Sequence, residues 1–227
     1  MIISHKHNFI FIKPKKTAGT SIEIALSKIC GDKDILTPLG EKDERKRLEY
    51  SGRSAQNYRL GLRQWRIKNF FQSEIKNPIK YYKHISASCA RAITPSEIWD
   101  SYFKFSVERN PFDKIVSLYF WRGGDQKYGS LNAFIKGGGL RNFKSYEYYS
   151  EHGVVCVDKV YQFEHLDKMC EELSEKFALE EPLAMPSYRA KSHTRKESDY
   201  RELFDAESIE LIKIAFAREI RMFEYTF

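Results

Sequence analysis

One stretch constrains the fold of this chain more than any other: FIFIKPKKTAGTSIEIAL, residues 9–26, which changes character halfway. Phe9 to Ile12 reads as a buried strand, and Ile22 to Leu26 as the start of a helix. Between them lie the lysines Lys13, Lys15 and Lys16, the glycine Gly19, and the hydroxyl side chains Thr17, Thr20 and Ser21. A loop running from a strand into a helix presents unpaired backbone N–H groups and the positive end of the helix dipole, which suits an anion. Gly19 lets backbone approach that anion, Thr20 and Ser21 add hydroxyl donors, and Lys15 or Lys16 adds full charge. This is not the ordinary nucleotide-triphosphate loop, which needs two glycines with a lysine after the second. Here the lysines precede a single glycine, and no downstream acidic strand end stands out as a magnesium ligand.

The rest of the chain alternates. After a helix at about 20–29 comes a polar, weakly patterned insertion at about 31–80, then a short helix announced by TPSE, with Thr94 as cap, Pro95 first and Glu97 completing a capping box. YFKFSVE, 102–108, alternates as a strand, and Pro111 opens a helix with Phe112, Ile115, Val116, Tyr119 and Phe120 on one face. GVVCVDKVYQFE supplies one or two strands before a helix over 165–177. Asp205 caps a last helix carrying Ile209, Ile212, Phe216 and Ile220. Strands alternating with helices predict an α/β fold with a mainly parallel sheet flanked by helices. Without repeats or linkers, residues 1–227 read as one domain. Ligands of such sheets bind beyond the carboxyl ends of the strands, where two basic loops lie: KPKKTAGTS and ERNPFDKIVS.

Charge agrees with an anionic ligand, since the net charge is +7 and the pI about 9.1. Residues 41–76 hold ten Lys or Arg against five Asp or Glu, interleaved with Tyr50, Tyr58, Trp65, Phe70 and Phe71. Such a stretch suits a nucleic-acid surface, a sugar-binding groove or snorkelling cover for a core. With 42% hydrophobic residues the chain can bury a substantial core. No apolar run approaches the ~18–20 residues of a membrane span, and MIISHKHNFIFI is too short in apolar length for a secretory signal, so a soluble, cytoplasmic protein is expected. Cys30, Cys89, Cys156 and Cys170 lack C-x-x-C spacing and read as four buried thiols.

These residues also carry a resemblance. PKKTAGTS resembles the 5′-phosphosulfate-binding loop of the sulfotransferases, and SVERNPFDKIVSLY resembles their 3′-phosphate-binding segment. KHISASCARAITPSEIWDSYFKFS, DKVYQFEHLDKMCEEL and REIRMFEYTF are similar to the carbohydrate branch, which includes heparan 2-O-sulfotransferases and bacterial relatives. The resemblance leaves roughly 31–80 unmatched. It implies a P-loop-like nucleotide-binding core and an enzyme using 3′-phosphoadenosine 5′-phosphosulfate without metal. Its products would be adenosine 3′,5′-bisphosphate and a sulfated acceptor. The acceptor would offer a free hydroxyl, by the branch resemblance on a glycan, and the basic insertion suits an acidic one; nucleic acid is not the expected partner.

The resemblance places the donor on Lys15, Lys16, Thr17, Ala18, Gly19, Thr20 and Ser21 at one end and on Arg109 and Ser117 at the other. Arg109 offers phosphate a planar fork; the competing reading is an ion pair with Glu108 or Asp113. Lys16 is the counterpart of the catalytic lysine at the leaving phosphate, with Lys15 its competitor. His84 is the counterpart of the catalytic base, which should titrate near neutral pH, and Glu164 is the alternate. YRAKSHTRKE resembles a late loop closing over the nucleotide, with Arg189, Lys191 or Ser192 touching it. The alternatives are a P-loop-type kinase and a non-catalytic polyanion- or RNA-binding protein built around 41–76.

Overall fold

The apolar run at Phe9 forms the middle strand of a five-stranded sheet. A computed structural model describes residues 1–60, 80–141, 143, 145–187 and 200–227. In chain order the sheet uses β1 (Ile2–Ser4), β2 (Phe9–Phe11), β3 (Ile35–Leu36), β4 (Phe103–Glu108) and, after a small hairpin of β5 (Ser150–Glu151) and β6 (Val154–Val155), β7 (Lys159–Gln162). Its spatial order is β3-β1-β2-β4-β7. β2 pairs parallel with β4, and β4 with β7. β1 pairs antiparallel with both β2 and β3, so the sheet is mixed, not mainly parallel as expected. The cause is a tight turn at residues 5–8, with Asn8 at φ 53°, that folds Ile2–Ser4 back along β2.

Both faces of the sheet are covered, which explains an unbroken apolar run where a half-exposed strand would alternate. Phe9, Phe11, Phe105 and Val107 pack under α1 (Gly19–Ser27) and α8 (Leu166–Lys176), against Ile22, Leu26, Met169 and Leu173. Ile3, Ile10 and Ile12 point the other way, against Tyr81, Ile85, Trp99 and Tyr149. The 31–80 insertion, as far as residues 31–60 show, holds β3 and α2 (Glu41–Ser51). Its helix carries its own countercharges, Arg45 on Glu41 and Arg47 on Glu44, which weakens a polyanion surface there. Trp65, Phe70 and Phe71 lie outside the described residues.

Thr94 does not cap the helix after it. Its hydroxyl donates to Ala90 O at 2.7 Å and thereby closes α3 (Ala87–Ile93). Pro95 then takes the cap position of α4 (Ser96–Ser101), with no side-chain capping bond. The predicted helix at Pro111 forms as α5 (Pro111–Trp121), followed by the short α6 (Gly124–Tyr128) and α7 (Leu131–Phe134). Asp205 caps α9 (Ala206–Ala215) through Ser208 N at 2.8 Å, and the helix breaks at Phe216 before α10 (Ala217–Phe223). Of the four cysteines only Cys30 and Cys170 are buried. Cys89 is exposed and Cys156 intermediate, because Cys89 falls on the outer face of α3.

Candidate functional site

The two basic loops leave the carboxyl ends of β2 and β4, strands that lie side by side and parallel. The first kinks twice into the left-handed region, at Lys16 (φ 65°) and Ala18 (φ 56°), before α1 begins. Ala18 occupies the cap position and no side chain caps the helix, so the first-turn N–H groups of Gly19, Thr20 and Ser21 face the loop without a capping acceptor.

The three lysines divide the work. Lys13 turns inward: it is buried, bonds Glu23, and donates to Thr20 Oγ1 at 3.2 Å. Burial alone would raise the Glu23 carboxyl, but Lys13 and the Met1 amino group outweigh it and bring it down to about 2. Gly19 serves this arrangement, since a Cβ there would lie 2.6 Å from Lys13 Cγ. The glycine makes room for a buried lysine stem, a reason different from close approach to an anion. Lys15 is exposed. Lys16 is half-buried, and its ammonium stands 5.5 Å from the ring centroid of Trp121. Thr17 is buried, its hydroxyl 3.5 Å from Pro14 O, and Ser21 is also buried.

The second loop is closed by its own side chains. Asn110 Oδ1 accepts from Phe112 N at 3.1 Å and Pro111 follows as the first helical residue, a satisfied start for α5. Glu164 accepts from Asn110 N at 2.8 Å and from the Tyr225 hydroxyl at 3.2 Å, which sets a carboxylate at the start of α5. Beneath, the fully buried Glu108 bonds Lys114, the Tyr149 hydroxyl at 2.8 Å and Arg109 N at 2.8 Å, pinning the end of β4. Burial and then this carboxylate push the Tyr149 phenol far above its ordinary range.

Arg109 is paired with Asp113, the competing reading of the sequence, with Nε 2.7 Å from Oδ2. It also stacks on Phe163, 4.1 Å from the centroid, and donates through Nη1 to Lys16 O at 3.3 Å. That last bond ties the two loops together. Of the five N–H donors of a guanidinium, these contacts engage three, on Nε, Nη1 and Nη2. Two remain for a ligand. Within α5, Asp113, Ser117 and Trp121 follow at four-residue intervals, the ridge spacing of a helix, and Ser117 is half-buried on that ridge.

His84 reaches the first loop from the opposite side of the sheet. Its Nδ1 lies 3.0 Å from Lys13 O; a carbonyl only accepts, so Nδ1 carries the proton and Nε2 is the bare, basic nitrogen. Burial, with a contribution from the Lys13 cation, pushes the imidazole down to about 4. It is therefore neutral at pH 7 but a weaker base than the near-neutral titration expected from sequence.

The structure thus brings Lys16, Ala18, Gly19, Thr20, Ser21 and Arg109 to two linked loops, with Ser117 one helical ridge away and His84 behind the first. Lys191 and Ser192, with Arg189, lie outside the described residues. Sequence reasoning named Asp113 as a competing partner of Arg109 but missed Phe163 and Trp121, although Trp121 follows Asp113 and Ser117 at four-residue spacing. Two surface cavities, of about 390 and 430 Å³, lie elsewhere, around Arg91 and Trp99 and around His7, Lys28 and Tyr50. The site is marked by charge and backbone geometry. No helix among the described residues is long and apolar enough to cross a membrane. No protein-family model matches the chain, and no curated protein sequence matches it.

Proposed function

We propose that this chain is a sulfotransferase that binds 3′-phosphoadenosine 5′-phosphosulfate across the two loops and moves its sulfuryl group to an acceptor hydroxyl, on a carbohydrate. The observation that carries the reading is the pair of cationic loops on adjacent parallel strand ends, joined by the Arg109 bond to Lys16 O at 3.3 Å. A ligand with two separated anionic ends suits two such loops. The uncapped start of α1 supplies N–H donors for the 5′ end with Lys16 beside it, while Thr17 and Thr20 shape the loop from within. The two remaining Arg109 donors and Ser117 supply the 3′ end.

In-line transfer forms the bond from acceptor oxygen to sulfur as the bond from sulfur to the 5′-phosphate oxygen breaks. The charge left on that phosphate falls to Lys16 and the helix dipole. The acceptor proton goes to His84 Nε2, the nitrogen left bare by the Nδ1 bond to Lys13 O. Burial holds His84 at about 4; anionic groups bound nearby would favour its protonated form and raise it. Glu164, engaged with Asn110 and Tyr225, is the weaker base candidate.

Thermal unfolding tests the reading. Adenosine 3′,5′-bisphosphate should raise Tm, while ATP with magnesium and RNA should not, and transfer should persist in excess EDTA. Stabilisation by ATP–magnesium with strict dependence on a divalent ion would favour a kinase. Stabilisation by RNA alone would favour a polyanion-binding protein.

A further inference from the structure

Trp121 is the anomaly of α5. The helix buries Phe112, Ile115, Val116, Leu118 and Tyr119, yet its last residue, a tryptophan, is 61% exposed. Two things surround it. The Lys16 ammonium, from the opposite loop, stands 5.5 Å from its ring centroid. The indole also occupies the carboxyl end of α5, where the helix dipole favours a cation. Lys15, one residue earlier in a loop that turns left-handed at Lys16, is exposed instead.

We propose that Trp121 is a positioning residue that seats the Lys16 ammonium. Its π-face and the end of α5 hold the long, flexible side chain over the second loop's helix, at the end of the Asp113–Ser117 ridge. The left-handed turn at Lys16 sends Lys15 outward. The seat decides which of two adjacent lysines faces the incoming anion, before any anion arrives. The inference rests on the reading of the two loops as one anion site, but the seat is tested first on the protein alone, with no nucleotide added.

Because Trp121 is exposed, its replacement leaves the buried face of α5 intact. The full chain, labelled at lysine, should show the Lys16 ε-methylene protons displaced upfield by the indole ring current, assigned by their loss in Lys16→Arg. Trp121→Phe should keep part of the displacement and Trp121→Leu none, with Lys15 unchanged in both. Affinity for adenosine 3′,5′-bisphosphate should then fall in the order Trp, Tyr or Phe, Leu, by about two- to fivefold in all, the range of an exposed cation–π contact. Undisplaced Lys16 resonances in the wild type, or the same displacement in Trp121→Leu, would overturn the seat. So would a Trp121→Leu affinity equal to wild type with Trp121→Phe weaker. If no variant, wild type included, bound the nucleotide, the sulfotransferase reading would fall, and the resonances would still decide the seat.

Discussion

The loops after β2 and β4 begin alike, each leaving a parallel strand end and entering a helix, and they finish differently. After β4 the start of α5 is fully served: Asn110 caps it, Pro111 needs no hydrogen bond, and Glu164 takes the Asn110 N–H. After β2 the start of α1 has Ala18 at its cap, with no side-chain acceptor. A polar helix terminus left without a cap is a demand for a partner. On the proposed reading the first loop offers backbone N–H groups and Lys16, the second the side chains of Arg109 and Ser117, and the Arg109 bond to Lys16 O ties the two loops together.

The largest effect that would break this comparison comes from His84, which belongs to the first loop through Lys13 O. His84→Ala should cut turnover by ~10²–10⁴-fold and leave nucleotide affinity nearly unchanged. The pH dependence follows from its lowered pKa. The acid limb of kcat/KM, which reports the free protein, should fall near about 4 and not near 6.5. Stability carries the same sign. The unfolded chain takes up the His84 proton near 6.5 and the folded one only near about 4, so stability should fall as pH drops through that window and stay flat above it. His84→Gln should remove that component, measured by denaturant unfolding across pH. Near-normal turnover in His84→Ala would hand the proton to another base.

Next in size is Gly19→Ala. The added Cβ would meet Lys13 Cγ at 2.6 Å, and Lys13 cannot leave without giving up its buried pair with Glu23. A loss of about 1–3 kcal/mol is expected, the cost of overpacking a filled interior. An unchanged unfolding midpoint would show that the Lys13 stem moves aside freely.

How far sequence reached is itself clearest in these two loops. The strand–turn–helix junctions, the Pro111 start of α5 and the core face of Phe112, Ile115 and Val116 were legible because each is a local pattern. β1 was not. Three residues, Ile2–Ser4, are too few to show a period, and their antiparallel return depends on a turn that sequence marks only weakly. The Thr94 capping box failed because the hydroxyl had a nearer acceptor in the preceding turn, Ala90 O. The inward turn of Lys13, the Arg109 contacts with Phe163 and Lys16 O, and the lowered His84 pKa all depend on burial or on contacts between distant elements. Composition and spacing carry no such information.

The smallest effect sharpens the contrast between the helix starts. Asn110→Ala removes a cap and should cost about 1 kcal/mol of stability. Ala18→Ser is expected to change stability by far less, since the left-handed cap residue of α1 already lacks a capping bond. Equal losses at the two positions, read from paired denaturant titrations, would mean that the two starts do not differ as described.

The central claim, one site for a ligand with two anionic ends, is tested most directly by a calorimetric cycle on Arg109 and the 3′-phosphate. Wild type and Arg109→Ala would each be titrated with adenosine 3′,5′-bisphosphate and with the nucleotide lacking its 3′-phosphate. For the wild type, losing the 3′-phosphate should cost on the order of 2–4 kcal/mol, roughly 30- to 1000-fold, and Arg109→Ala should cost as much with the full nucleotide. In Arg109→Ala, removing the 3′-phosphate should then change affinity little, because its partner is already gone. Equal binding of the full nucleotide by wild type and Arg109→Ala would contradict the account, as would two losses that simply add.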